Sequence, residues 1–322
     1  MKKYTNLVFK GGGVKGIAYA GAILELDKMG ILPGIKRVAG TSAGAITAAL
    51  LALGYTSKEV ENAVREMDFA SFKDKGGLVG KIIGFLRKYG WYKGDTFKSW
   101  LGDRIKEKTG DKNTTFKQLK DLVAQNKGGY RELYVVATNL NKQYLEIFSV
   151  EQHSEVSIVD AVRMSMSIPL FFNSVTWNQN IMVDGGMGYN YAIDIFDHKN
   201  FAVDSESIVN TTFEDGTLEV NQETLGLWID TKAGIDNLRN RKPRPSMTIH
   251  GIKDFSVSLV DYLMEMANMT HLEKYDWERS ILIDSLDVKA TDFDGVKAKA
   301  DQLIESGKQG VIDYFKWLNA EG

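Results

Sequence analysis

The hydrophobic and polar positions of the chain predict short buried strands that alternate with helices. An apolar run at residues 4–9 is followed by a glycine loop and by apolar positions at helical spacing over residues 17–29. A second β-type run at residues 36–39 leads through a tight turn into an alanine-rich helical run. Two strand–turn–helix units in succession are typical of a mostly parallel α/β sheet with functional loops at the carboxyl ends of its strands.

The rest of the chain continues this mixed pattern. Alternating or continuous apolar runs predict further strands at 132–138, 144–148, 175–177, 181–183, 224–229 and 279–283. Helical spacing predicts helices at 157–167 (ended by Pro169), 252–271 and 295–318. We find no repeat or convincing linker, and we predict one domain over residues 1–322 with a helical, basic and aromatic elaboration at about 56–129.

Composition narrows the function classes. The 322 residues are 43% hydrophobic and 25% charged with a net charge of −2, which indicates a globular protein and gives no reason to expect nucleic-acid binding. The absence of cysteine excludes disulfides, thiolate catalysis and cysteine-ligated zinc. The four histidines are scattered and no acidic cluster has calcium-loop spacing, so we expect no metal or cofactor. No apolar run approaches 18 residues and no signal peptide is evident, so we expect a cytoplasmic protein.

Ser42 is the candidate nucleophile. It lies in a G-x-S-x-G turn between the second strand and its helix, where Gly40 and Gly44 remove the Cβ atoms that would obstruct so sharp a bend. A hydroxyl at this position faces the positive end of a helix dipole, which favours a developing oxyanion. The pattern is short enough to arise by chance, and the alternative is an ordinary glycine turn entering a packed helix.

The glycine loop after the first strand is a candidate anion site. Gly11, Gly13 and Gly16 fit G-x-G-x-x-G, but the acidic residue that dinucleotide binding requires after the second strand is absent. The P-loop pattern also fails, because Ile17 follows Gly16. The remaining interpretations are unhindered backbone N–H groups that bind an oxyanion, or a close-packed glycine turn.

Asp184 is the candidate partner of Ser42. It directly follows an apolar strand and precedes Gly185 and Gly186, so we expect it at the carboxyl-terminal edge of a strand, on the same side as Ser42. The alternative is a turn-forming aspartate in a D-G-G turn.

Residues 72–94 mix six basic residues with aliphatic and aromatic ones. This composition suits a segment at an anionic membrane surface or over an acyl site. An amphipathic helix packed on the sheet with a solvated basic face fits it equally well.

Taken together, these motifs resemble the patatin-like phospholipase family. They are GGGVKG at 11–16, which includes Lys15, GTSAG at 40–44 and DGG at 184–186. The similarity extends to SMSIPLFF at 165–172 and TDFD at 291–294. The family often has Asn-x-Pro after the aspartate motif, whereas this chain reads Asn190-Tyr191-Ala192.

The resemblance implies a three-layer α/β/α fold and a Ser42–Asp184 dyad that cleaves fatty-acyl esters of phospholipids or lysophospholipids. Ser42 would form an acyl-enzyme and Asp184 would act as the base. The glycine loop of Gly11, Gly12 and Gly13 would form the oxyanion hole, chiefly through the N–H groups of Gly12 and Gly13, with the Ala43 N–H as a further donor.

Two other functions fit parts of the sequence. A Ser-His-Asp esterase would recruit His198, His250 or His271, which all follow Ser42 in the chain. A non-catalytic lipid-binding module would use only the segment at 72–94 for peripheral membrane contact. A protein activator or an oligomer is compatible with every one of these functions.

Overall fold

The structure is a computed structural model that describes residues 3–72, 89–213, 216–240, 246, 248–269 and 273–321. Its strands are β1 Asn6–Phe9, β2 Arg37–Thr41, β3 Gly90–Tyr92, β4 Glu132–Asn139, β5 Tyr144–Phe148, β6 Leu170–Phe172, β7 Val175–Trp177, β8 Asn180–Asp184, β9 Ile208–Phe213, β10 Gly216–Asn221, β11 Thr224–Asp230 and β12 Ser280–Asp284. Its α-helices are α1 Ala18–Lys28, α2 Ala43–Ala52, α3 Ser57–Glu66, α4 Asp95–Thr109, α5 Phe116–Ala124, α6 Val150–His153, α7 Ile158–Ser165, α8 Lys232–Asn240, α9 Gly251–Met269, α10 Lys274–Glu278 and α11 Ala300–Glu321.

Eight strands form the central sheet, in the order β12-β11-β1-β2-β4-β8-β7, with β5 paired to β4. The five strands from β12 to β4 run parallel. The pairs β4–β5, β4–β8 and β7–β8 are antiparallel. The predicted fold class, an α/β fold with a mostly parallel sheet, is therefore confirmed.

The core occupies both faces of this sheet, because successive side chains of a strand point to opposite sides. In β1, Leu7 and Phe9 belong to the larger hydrophobic cluster, which takes in apolar residues of α1, α2, α3, α4, α7 and α11. Val8 belongs to a smaller cluster on the other face with Trp228 and Phe196. The sheet thus lies between a thick helical layer and a thinner one.

Most predicted elements are present, and the differences are in short pieces. Residues 90–92 form a three-residue strand that pairs in parallel with β6, although the sequence predicts only a basic and aromatic segment there. The hairpin of β9 and β10 was not predicted either. The last helix starts at Ala300, after a 3-10 turn at Val296–Lys299. No helix in the described part of the chain is long and apolar enough to span a bilayer.

Candidate active site

Ser42 occupies a strained turn between β2 and α2. Its backbone has φ 53° and ψ −123°, a conformation that costs a non-glycine residue about 1–3 kcal/mol and that survives only when its surroundings enforce it. The bend also brings three backbone segments together. A Cβ on Gly40 would lie 2.3 Å from the Gly44 carbonyl oxygen, and one on Gly44 would lie 2.3 Å from the Phe9 oxygen. Glycine at both positions is therefore a steric requirement of the turn.

The glycine loop lies beside this turn, and its three amides differ in what they can do. The Gly11 N–H already donates to the Asn190 carbonyl oxygen at 2.9 Å, so this amide is engaged, and a part for Gly11 in an oxyanion hole stays a prediction. Gly12 and Gly13 precede and begin a 3-10 helix at Gly13–Ile17. Because the first N–H groups of a helix have no acceptor inside it, Gly12, Gly13 and Ala43 (the first residue of α2) remain candidate donors.

Two other residues of this loop have packing roles. A Cβ on Gly16 would meet the Ala43 Cβ at 3.0 Å, so Gly16 lets the loop approach α2. The Lys15 Nζ lies 4.0 Å from Asp230 Oδ1 at the end of β11. Lys15 therefore ties the loop to a neighbouring strand end.

Asp184 lies at the carboxyl end of an antiparallel strand, beside Ser42. It is the last residue of β8, and although β8 runs antiparallel to β4, this strand ends beside the carboxyl end of β2. It pairs with Ala137, while Val136 pairs with Thr41, the residue before Ser42. β8 therefore ends level with Ser42, where β2 also ends.

Burial controls the charge of Asp184. The side chain is completely buried, and burial raises the pKa of this carboxyl from 3.8 to about 7. Hydrogen bonding by the Ser42 side chain and by the Gly186 N–H, which donates to Oδ1 at 2.8 Å, acts in the opposite direction. Oδ2 has no partner of ordinary hydrogen-bond geometry among the described residues, so the contact with Ser42 is looser than the one with Gly186.

The glycines that follow Asp184 pack closely against the site. A Cβ on Gly185 would lie 2.3 Å from the Val136 carbonyl oxygen, and one on Gly186 would lie 2.7 Å from Asn190 Oδ1. The D-G-G sequence is thus needed for close approach as well as for a turn.

Two of the candidate histidines lie away from Ser42, and the third lies outside the described residues. His198 caps a 3-10 turn at Lys199–Phe201, where its Nδ1 accepts from the Asn200 N–H at 3.2 Å. His250 is exposed just before α9, and His271 lies outside the described residues. In the part of the chain that the structure describes, no histidine lines the cavity at Ser42 or contributes to the pKa of Asp184.

An apolar cavity opens beside the Ser42 side chain. It has a volume of about 540 Å³ when the open solvent at its mouth is included, and Gly13, Ser42 and Ala43 are part of its lining. The remaining lining is almost wholly hydrophobic and comes from α2, α3, α4 and neighbouring loops: Val14, Ile17, Ile46, Thr47, Val64, Met67, Phe69, Phe72, Phe97, Met166, Ile168, Phe172 and Phe293, with Gly16. An almost wholly hydrophobic lining suits a hydrocarbon chain. Within the described ranges, no group of three or more His, Asp or Glu side chains is placed to hold a metal ion.

Comparison with known proteins identifies the family. A family model described as patatin-like phospholipase matches residues 7–197, more than half of the chain. The chain belongs to the patatin-like phospholipase family. YqhO of Bacillus subtilis (strain 168) is 30% identical over 328 residues, which cover 97% of this chain and 98% of YqhO. A probable lipid hydrolase of invertebrate iridescent virus 6 is 27% identical over 198 residues, which cover 60% of this chain and 63% of that protein.

Structural comparison shows the same fold. VipD from Legionella pneumophila has a TM-score of 0.62 and 17% sequence identity, over 98% of this chain and 67% of VipD. At this identity the likeness concerns the fold alone. The three-layer arrangement of this patatin-like chain thus has a counterpart among solved structures.

Sequence reasoning missed the part that Asn190 plays in this patatin-like site. Asn190 is buried, its carbonyl oxygen accepts from the Gly11 N–H, and its Oδ1 lies 2.0 Å from where a Gly11 Cβ would be. A Cβ on Gly11 would also lie 3.3 Å from the Ser42 Cβ. In the sequence, Asn190 stands out only because the chain departs from the family's Asn-x-Pro directly after it. That motif was the one signal that could have pointed to Asn190.

The segment proposed for membrane contact is only partly described. Residues 73–88 lie outside the described residues. At its ends, Phe72 lines the cavity, and Tyr89 and Trp91 are 53% and 37% exposed. Peripheral membrane contact through residues 72–94 stays a prediction.

Proposed function

We propose that this protein is a lipid acyl hydrolase that cleaves fatty-acyl ester bonds of phospholipids or lysophospholipids, with Ser42 as nucleophile and Asp184 as general base. One observation carries the proposal. A strained serine lies between an apolar cavity and a buried carboxylate whose pKa is near 7. Membership of the patatin-like phospholipase family supports the lipolytic class of the reaction.

In the acylation step, the Ser42 Oγ attacks the ester carbonyl carbon and Asp184 takes the hydroxyl proton. The carbonyl oxygen becomes an oxyanion, which the backbone N–H groups of Gly12, Gly13 and Ala43 stabilise. When the tetrahedral intermediate collapses, the carbon–oxygen bond to the glycerol oxygen breaks. Asp184 returns the proton to this leaving alcohol, and an acyl ester remains on Ser42.

In the deacylation step, water repeats the attack on the acyl carbon. Asp184 takes one proton from the water, and the second tetrahedral intermediate expels the Ser42 oxygen. Asp184 then returns the proton to Ser42, and the fatty acid leaves.

A carboxylate can act as the base here because of its environment. An aspartate of ordinary pKa is a weak base toward a serine hydroxyl, whereas a base with a pKa near the working pH is far more effective. Burial supplies this change for Asp184. A histidine is therefore not required.

The proposed reaction is tested with phosphatidylcholine and lysophosphatidylcholine in ¹⁸O-labelled water. We expect mass spectrometry to find a fatty acid with ¹⁸O in its carboxyl group and an unlabelled glycerophosphate product. Label in the phosphate would instead show cleavage of a phosphoester bond. Vesicle binding without products, together with no fluorophosphonate adduct on Ser42, would favour the lipid-binding module.

The activity should depend on pH through Asp184. Only the carboxylate accepts a proton, so we expect kcat/KM to fall about tenfold per pH unit below a midpoint near 7 and to level off above it. A pH–rate profile on a soluble ester measures this. Asp194→Asn is the control, because Asp194 is an exposed carboxyl near Asp197 and Asp276 and Ser42 does not contribute to its pKa. If the midpoint of the pH–rate profile shifted in Asp194→Asn, the attribution of that midpoint to Asp184 would be refuted.

The apolar cavity should set the acyl-chain preference. Each additional methylene buried in it is worth about 0.8 kcal/mol, so kcat/KM for soluble esters should rise about fourfold per methylene until the cavity is full. Ile46 lines the cavity from α2 and is half-buried. We expect Ile46→Trp to lower kcat/KM for long-chain esters by about tenfold or more and to leave the butyryl ester nearly unchanged, since a bulky ring shortens the cavity.

Leu24→Trp is a matched control for the chain-length experiment. Leu24 is a half-buried aliphatic residue on α1 that does not line the cavity. Its replacement should leave the dependence on chain length unaltered. An equal effect of Ile46→Trp on short and long esters would show that the chain binds elsewhere.

A further inference from the structure

Ser165 is a fully buried serine at the end of α7 that contacts the backbone of the proposed nucleophile. Its Oγ accepts from the Ser42 N–H at 2.9 Å and donates to the Val136 carbonyl oxygen at 2.6 Å. Because the single hydroxyl proton is directed at Val136, an oxygen lone pair remains for Ser42. The roles of donor and acceptor are therefore fixed.

This hydroxyl lies where β2 and β4 separate. Thr41 pairs with Val136 at the end of the β2–β4 ladder, and Ser42 then turns away into α2. The Ser42 N–H and the Val136 carbonyl are joined through Ser165 instead of directly. The chain can thus leave the sheet at a positive φ while the buried Ser42 N–H keeps a hydrogen-bond acceptor.

The same short segment also holds the proposed base. Two residues after Ser165, the Ser167 carbonyl oxygen accepts from the Asp184 N–H at 2.9 Å. Residues 165–167 therefore contact both partners, Ser42 through a side chain and Asp184 through the backbone. The helix ends at Ser165, and Pro169 follows after Ile168, so this segment is where the chain leaves α7.

We propose that Ser165 is a positioning residue that holds Ser42 in its strained turn and in register with Asp184, an inference that rests on the proposed function. Strained backbone persists only where its surroundings over-determine it, and the Ser165 hydroxyl supplies one of these constraints. Loss of the hydroxyl lets the turn relax and moves the Ser42 Oγ away from the base and the oxyanion donors. Displacements of about 1 Å can lower a rate about 100-fold.

The test compares Ser165→Ala with Ser280→Ala. Both serines are buried, but the Ser280 hydroxyl bonds to Tyr191 and to the Asp276 carbonyl oxygen, not to Ser42 or Asp184. We expect Ser165→Ala to lower kcat on a soluble ester and the rate of fluorophosphonate labelling of Ser42 by about 10- to 100-fold, with KM and the pH midpoint unchanged. Ser280→Ala should lower the melting temperature without a comparable loss of kcat.

A purely structural role would lower the melting temperature in both variants and leave kcat per folded molecule unchanged in both, which would overturn the proposal. Should Ser165→Ala fail to fold, Ser165→Cys decides, because a thiol of similar shape is a weak acceptor. A kcat of Ser165→Cys clearly below that of the wild-type protein supports the proposal, and a kcat equal to the wild-type value refutes it. Absence of labelling in the wild-type protein would instead refute the proposed function itself.

Discussion

Ser42→Ala is expected to lower kcat for ester hydrolysis by about 10⁴- to 10⁶-fold, because it removes the atom that carries the acyl group. The measurement is a fatty-acid release assay combined with fluorophosphonate labelling, and both signals should vanish. The apolar cavity is untouched by this change, so binding of a non-hydrolysable lipid analogue should remain close to that of the wild-type protein.

Ser42→Gly separates loss of chemistry from loss of fold. The backbone of Ser42 has φ 53° and ψ −123°, which glycine adopts with little strain. The glycine variant should be as inactive as the alanine variant, but its melting temperature should equal or exceed that of Ser42→Ala, since relief of strain offsets the greater entropy of an unfolded glycine.

Ser285→Ala is the matched control for these variants. Ser285 is another fully buried serine, directly after strand β12, and its hydroxyl has no hydrogen-bond partner among the described residues. Its loss should leave kcat and labelling unchanged. Appreciable hydrolysis by Ser42→Ala, or labelling that disappears in Ser285→Ala, would rule out Ser42 as the nucleophile.

The part of this site that the sequence predicts is the part that local chain geometry dictates. A strand, a G-x-S-x-G turn and an alanine-rich helix are adjacent in the chain, so the turn around Ser42 follows from steric rules that act over a few residues. The same holds for the glycine loop after β1. The strand pairs at 132–148 and 175–184 were also predictable, since short turns connect them.

The long-range contacts of the site were not predictable in this way. Nothing near Asp184 in the sequence indicates that β8 pairs with β4 and runs antiparallel to it. The Gly11 amide looked available until Asn190, 179 positions later, was found to accept from it. Ser165 reaches Ser42 across 123 positions. A single sequence carries no signal for such pairings, because tertiary packing alone brings these residues together.

Asp184→Asn is expected to lower kcat by about 10²- to 10⁴-fold, the range that a positioned general base contributes. Asparagine keeps the shape of the side chain and the oxygen that accepts from the Gly186 N–H, but it cannot take the Ser42 proton. The pH dependence below 7 should disappear together with the rate. We expect kcat to stay near the wild-type value in three control variants, His198→Ala, His250→Ala and His271→Ala. If Asp184→Asn were instead fully active and one of these histidine variants were inactive, the base would be a histidine.

The stability of Asp184→Asn gives an independent check on the environment of this carboxyl. Burial raises its pKa in the folded protein from 3.8 to about 7, so above pH 7 the folded state must hold a carboxylate that the unfolded chain solvates better. The neutral amide carries no such penalty. We therefore expect the melting temperature of Asp184→Asn at pH 8 to equal or exceed that of the wild-type protein, with the difference shrinking as the pH falls from 7 towards 4. A lower melting temperature at pH 8 would mean that the carboxylate stabilises the fold, and the loss of kcat could then not be assigned to the missing base alone.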